Sequence, residues 1–395
     1  MNTADISALL REFGQHHCPE EPLYQRLCTL LADMPKACTW LAAAPPTQRK
    51  ANLLLAALHD QVLAAPSALG AWYASAKRAG PLADPYDPGL AQALANFLQA
   101  HASALAHTVQ HRSTQTNEVG RCAVLWLVLQ DLALSRQQAH PEAPQRLALF
   151  DLGCSAGLNL GLPWMDLHFH HHGGQRQARH AGVPIPERSS LAPALHCDIV
   201  GPWPAFVDSP TAFTLSHRAG VDPALIAVTQ AEAVRWLQAC LWPSDTTRRQ
   251  RLEAAVALAC AQPAELHQAA SGPACLHLLE DWLSRLPSDT LPVVFNSWVL
   301  YYADEPALAA HRQALLSLMG RNGAVWISAE DLVTSTTLFG APPPMPPLEG
   351  VTRDQAHTQT FWVTAHAGSN GLQARYVARS HPHGQWVKWE EVSGG

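Results

Sequence analysis

Leu147-Ala148-Leu149-Phe150-Asp151-Leu152-Gly153-Cys154-Ser155-Ala156-Gly157-Leu158 decides how this chain is read. A short, continuous apolar run fits a strand buried on both faces of a parallel sheet. The acid at its end and the glycines after it then make a strand-to-helix turn. Glycine in such a turn permits positive φ and a close approach of backbone to a ligand. The helix start behind it offers free N–H groups and the positive end of a dipole. Asp151 can accept hydrogen bonds from a ligand ammonium or from the turn itself.

Outward from this stretch the pattern differs on its two sides. Before residue 146 the chain reads as helices. Apolar residues recur at three- and four-residue steps over 22–31, 52–63, 90–105 and 119–134, with Pro/Gly breaks between them. After it, apolar runs at 212–215, 291–295 and 324–327 alternate with helical patterns at 231–241, 248–261, 275–286 and 306–319. That alternation predicts an α/β parallel sheet. Residues 360–365 and 372–378 alternate in polarity around Gly368-Ser369-Asn370-Gly371, and 385–389 supplies a further strand. The expectation is an all-helical region over 1–145, then a Rossmann-like, mostly parallel sheet domain over 146–395 that ends in an antiparallel hairpin.

Composition narrows the function classes. The 26 basic residues are outnumbered by 32 acidic ones, which argues against a whole-chain grip on nucleic acid. The longest tidy apolar stretch, residues 122–129, is far short of a membrane span. The N-terminus lacks the basic-then-apolar pattern of a signal peptide. Nine cysteines without a CxxC point to a reducing compartment, so a cytoplasmic location is expected; a small-molecule substrate is a separate expectation. Composition and pattern leave the oligomeric state open.

The stretch Asp151-x-Gly153-x-Ser155-x-Gly157 resembles the glycine-rich loop of class I S-adenosylmethionine-dependent methyltransferases. In that family the loop reads acid-x-Gly-x-Gly-x-Gly and passes beneath the amino-acid part of the cofactor; Ser155 stands here at the central glycine. A mostly parallel sheet ending in an antiparallel hairpin also matches that family. The resemblance implies S-adenosylmethionine as cofactor, held by Asp151, Gly153, Ser155 and Gly157. It further implies an acid after the second strand for ribose hydroxyls, for which Asp222 is the candidate and Asp166 the competitor. Where the family places its adenine-contacting acid, after 265–268, Ala269 and Ala270 stand instead. Asn296-Ser297-Trp298 falls at the substrate-facing loop, so Asn296 is expected to orient an acceptor amine. A dinucleotide fingerprint fits worse, since its third glycine would fall at Leu158, and no Gly-Lys-Ser/Thr follows for a Walker A loop.

The wider chain is similar to an uncharacterised bacterial family. The pieces that carry this likeness include Ala57-Leu58-His59-Asp60, Gln115-Thr116-Asn117-Glu118-Val119-Gly120-Arg121-Cys122, Ser155-Ala156-Gly157-Leu158-Asn159 and Leu241-Trp242-Pro243. They imply a methyltransferase-like core behind a helical region and supply no activity.

Three further features bear on function. Thr116 or Asn117 can cap the apolar helix that follows, while Glu118 and Arg121, three apart, share a face. Asn117 and Arg121 are read as cofactor-fixing, and Glu118, with Asn296, as the group that orients or deprotonates the acceptor. His168, His170 and His172 alternate, so a strand would put them on one face; without compact acidic or thiol partners beyond Asp166 they are read as a solvated hairpin, and no metal is assigned. Gly153-x-Ser155-x-Gly157 also spells G-x-S-x-G, which would make Ser155 a hydrolase nucleophile, although only helices precede it. The readings are ranked as methyltransferase, then a non-catalytic nucleoside-binding or regulatory module, then hydrolase.

Overall fold

The run around Phe150 forms strand β1 (Arg146–Leu152), buried at every position after the first. The computed structural model describes residues 1–76, 80–115, 117–143, 145–172, 174, 176–183, 192–270, 272–345, 347–348 and 358–390. Ten further strands follow: β2 (Asp166–His171), β3 (Gln177–His180), β4 (Ala194–Ile199), β5 (Thr214–Asp222), β6 (Glu265–Gln268), β7 (Thr290–Ser297), β8 (Val325–Glu330), β9 (Thr360–Gly368), β10 (Gly371–Ser380) and β11 (Trp386–Trp389). They make one sheet in the order β3-β2-β4-β11-β10-β9-β8-β7-β1-β5-β6. The fold is the expected Rossmann-like, mostly parallel α/β sheet with a helical N-terminal region.

Register places the chemistry. β1 runs parallel to β5, with Asp151 opposite Gly220, and parallel to β7, with Leu152 opposite Asn296. β6 continues parallel to β5, and β8 parallel to β7. The carboxyl ends of β1, β5, β7 and β8 therefore share one edge, the usual ligand edge of an open α/β sheet. β9 pairs antiparallel with β8 and with β10, which is the expected terminal hairpin.

Strand alternation sorts the core. Ala148, Phe150 and Leu152 join Val221, Val294 and Trp326 in one cluster with Leu279, Trp282 and Leu315. The last three come from the helices Pro273–Ser284 and Glu305–Asn322. Asp151, one residue out of phase, points to the opposite face.

Several local expectations shift. The 90–105 periodicity covers two helices, Gly89–Ala100 and Ala102–His111, with a break at His101. The 212–215 run is only the entrance to β5, whose pairing with β1 carries the strand on to Asp222. The His-rich segment is indeed a hairpin of β2 and β3, but β4 extends it into the main sheet through β11.

The chain divides into two compact units. One comprises residues 1–116 and 227–250, and the other residues 117–226 and 251–395. The whole sheet and the helix Arg121–Ala139 lie in the second, and the helix Ala231–Ala239 in the first. This differs from a single division at 145/146. Among the described residues no helix is long and apolar enough to cross a membrane.

Candidate functional site

The turn after β1 is held from three sides. Gly153 and Gly157 take φ of +78° and +68°, and Ser155, which has a side chain, is also left-handed at φ 51°. Such a conformation in a non-glycine residue persists only where its surroundings over-determine it. They do so here. Gly153 N and Cys154 N donate to Val221 O at 2.8 and 3.2 Å. Ser155 N donates to Asp222 Oδ2 at 2.8 Å, and Asn117 Nδ2 donates to Ser155 Oγ at 2.6 Å. Asn117 Oδ1 accepts from Ala156 N at 3.3 Å. The expected helix cap at Asn117 is thus replaced by a clamp on the turn. The helix Arg121–Ala139 begins at Gly120 without a side-chain cap, and Thr116 lies outside the described residues.

Asp151 stands apart from this network. It is 2% exposed, its carboxyl is bonded by the Asn159 side chain, and its Oδ2 has no hydrogen-bond partner. Burial first, then the neighbouring Asp222 carboxylate, push its pKa up to about 8; the Asn159 hydrogen bond and the Arg121 charge oppose the shift. Asp222 has both oxygens engaged, Oδ2 by Ser155 N and Oδ1 by Ala224 N at 2.7 Å. Burial raises the Asp222 pKa, and these two backbone donors, which favour its ionised form, oppose the shift.

The glycines answer a packing demand of the chain itself. A Cβ on Gly153 would collide with the Val299 side chain, and one on Gly157 would lie 2.8 Å from Leu266 Cδ2. Their missing side chains make room for this chain's own residues. Among the described residues of the turn, Asp151 Oδ2 is the buried side-chain oxygen that has no hydrogen-bond partner.

Glu118 and Arg121 are both 3% exposed. Glu118 Oε1 accepts from Gly120 N at 3.0 Å and pairs with Arg251 Nη2 at 3.2 Å. Arg121 Nε donates to Pro382 O at 2.7 Å and Nη1 to Ser297 Oγ at 3.1 Å, while its charge also reaches Asp151. Arg121 therefore fastens the end of β7 to the turn at 381–384 and biases the Asp151 carboxyl.

Asn296 does not face an acceptor. It is fully buried; Nδ2 donates to Ser328 Oγ at 3.1 Å and to Glu330 Oε1 at 2.7 Å, and Oδ1 accepts from Trp326 Nε1 at 2.6 Å. Its carboxamide is engaged within the sheet, which corrects the acceptor-orienting role expected of it. The residue that sequence reasoning missed is its partner Glu330. Glu330 Oε1 also takes Val299 N and Leu300 N at 3.0 and 3.1 Å, and Oε2 takes Tyr301 N at 3.3 Å. Burial pushes its pKa up to about 7 against these hydrogen bonds. The acid at the end of Ser328-Ala329-Glu330 was the available signal. This clamp holds Trp298 at φ 54°, the second left-handed residue with a side chain on the same edge.

The remaining candidates fall elsewhere. No imidazole bonds to Ser155 Oγ among the described residues, so Ser155 lacks the base of a hydrolase triad. Asp166 lies on β2, where Arg179 grips it with Nε and Nη2 at 2.9 and 2.7 Å and His168 pairs at 3.0 Å. It does not compete with Asp222 for a place beside the turn. His168 and His170 share a face with His196 and stack on it at 4.6 and 5.6 Å, whereas His172 lies past the end of β2, 3.8 Å from Asp198. Among the described residues no group of three or more His, Cys, Asp or Glu side chains is placed to hold a metal ion.

A family model described as an uncharacterised protein conserved in bacteria, DUF2332, matches residues 7–389. The chain belongs to this family. No curated protein and no solved structure matches it. The match spans both compact units, so the turn after β1, the Asn117 clamp and the Glu330 clamp all lie within the DUF2332 region.

Proposed function

We propose that this DUF2332 protein is an S-adenosylmethionine-dependent methyltransferase-like enzyme acting on a small-molecule acceptor. The observation that carries the reading is Asp151 Oδ2, a buried carboxyl oxygen without a partner at the carboxyl edge of β1. An orphaned buried polar atom is costly and calls for a ligand group. An ammonium is the natural complement of a carboxyl. The cofactor supplies a methyl group on a sulfonium when bound. The chain's own part is to receive the amino end on Asp151 and to keep the turn rigid through Asn117, Ser155 and Asp222. Each engaged oxygen of Asp222 retains a lone pair for a sugar hydroxyl. Arg121 sets the electrostatic balance at Asp151. With Asn296 buried and Glu118 paired to Arg251, catalysis rests on positioning, and the acceptor must present a lone pair without help from a base.

Those same two engagements favour a second reading, a nucleoside-binding module without turnover. Calorimetric titration with S-adenosylmethionine and S-adenosylhomocysteine, followed by transfer of labelled methyl to a cell extract, separates the two. The enzyme reading expects binding and transfer. Binding without transfer supports the module, and no binding of either ligand refutes both.

A further inference from the structure

The base that Ser155 lacks stands beside another serine, in the helical unit. His59, on the helix Ala51–Ala64, is 1% exposed, and its Nε2 lies 2.6 Å from Ser75 Oγ. Its Nδ1 lies 3.1 Å from the carbonyl oxygen of Ala239, the last residue of the helix Ala231–Ala239. A carbonyl only accepts, so Nδ1 carries the proton and Nε2 presents its lone pair to the Ser75 hydroxyl. That is the tautomer of a serine nucleophile with its general base, with the helix-end carbonyl as the orienting third group. The adjacent carboxylate does not take that place, because Asp60 Oδ1 is held by Arg235 Nε at 2.9 Å. Tyr73, whose ring lies 5.1 Å from the imidazole, is wholly buried with a phenol oxygen that has no hydrogen-bond partner. Ser75 itself is partly exposed, whereas His59 is covered.

We propose that Ser75 and His59 form an acyl-transfer site for uncharged carboxylic esters, separate from the turn after β1. Ser75 Oγ bonds to the ester carbonyl carbon as its proton passes to His59 Nε2. The bond from that carbon to the alkoxy oxygen then breaks, and the alcohol leaves with the proton from His59. Water, giving a proton to His59, cleaves the acyl-serine and releases the acid as the proton returns to Ser75. Burial pushes the His59 pKa down to about 4, which keeps the imidazole in its accepting form through neutral pH. The groups around it are the Ala239 and Leu241 backbones, whose hydrogen bonds oppose the shift, Tyr24, whose hydroxyl is 3.5 Å from Nδ1, Tyr73, and the Arg249 charge, which lowers its pKa further.

The test is labelling of the full chain with a fluorophosphonate, mapped by peptide mass spectrometry, alongside hydrolysis of p-nitrophenyl acetate. The expected result is a single adduct on Ser75 in the wild-type protein. It disappears in Ser75→Ala, and in His59→Gln both labelling and hydrolysis slow by about a hundredfold or more. Wild-type mapping decides the nucleophile even if a variant fails to fold. Absence of an adduct on Ser75, an adduct on Ser155 instead, or equal labelling of a folded His59→Gln overturns the proposal.

Discussion

Glu330 and Asp151 both close a parallel strand at the same edge of the sheet, and both are buried to within a few per cent. Glu330 receives hydrogen bonds from Asn296 and from three consecutive backbone amides, Val299 to Tyr301. The Asp151 carboxyl is approached by the Asn159 side chain, and its Oδ2 has no hydrogen-bond partner. Both carboxyls have raised pKa values for the same reason, burial, to about 7 and about 8. The uses assigned to them differ: the saturated carboxylate is a structural clamp, and the unsaturated one is the group proposed to receive a ligand cation. Neither burial nor the pKa separates the two acids; the inventory of donors does.

The largest effect should follow from removing the clamp. Glu330→Ala removes the acceptor of three backbone N–H groups and one of the two acceptors of the Asn296 amide, so urea denaturation should show a loss of about 3–5 kcal/mol. A loss under about 1 kcal/mol would mean that water replaces the carboxylate and the contrast with Asp151 fails. Next, Gly153→Ala combines a collision with Val299 and a left-handed φ, and should lose about 2–4 kcal/mol. Adding Val299→Ala should return part of that loss, because the space belongs to Val299.

Asp151→Asn should do the opposite of Glu330→Ala. It should weaken S-adenosylmethionine binding by about a hundredfold while raising thermal stability at pH 8. The sign follows from linkage. The folded pKa of Asp151 lies above its unfolded one, so between pH 4 and 8 the unfolded chain has already lost the proton that the folded chain keeps. Wild-type stability should therefore fall as pH rises through that window, and the Asn variant should show a shallower slope. The smallest of these effects belongs to Asn117→Ala, which removes the bonds to Ser155 Oγ and Ala156 N and should cost about 1–2 kcal/mol, with ligand affinity dropping several-fold.

The central strands were legible because they are buried on both faces, which writes a continuous apolar run such as Leu147 to Phe150 into the sequence. The Gly368–Gly371 turn was legible from turn chemistry and alternation, whereas the strand at 265–268 was placed by the resemblance alone. The helices Thr3–His16 and Pro35–Ala42 were missed, although the first opens with a capping box from Asn2 and Asp5. The joining of β4 to β11 was invisible, since a parallel pairing between residues 198 and 386 leaves no local pattern. At the site, the sequence pointed to Asn117, Ser155 and Asp222, which the fold brings into one network. It misjudged Asn296 because a polar residue at a strand end reads alike whether it faces a ligand or a buried acid. Glu330 resolves that ambiguity, and its contact with Asn296 is non-local.

The central claim is that Asp151 Oδ2 is reserved for a ligand cation. Titration calorimetry of S-adenosylmethionine at pH 7, in two buffers of different ionisation heat, tests it on the wild type and on Asp151→Asn. The account predicts binding to the wild type with release of about one proton, and loss of both in the variant. Equal affinity in the two proteins, or no binding to a folded wild type, would contradict it.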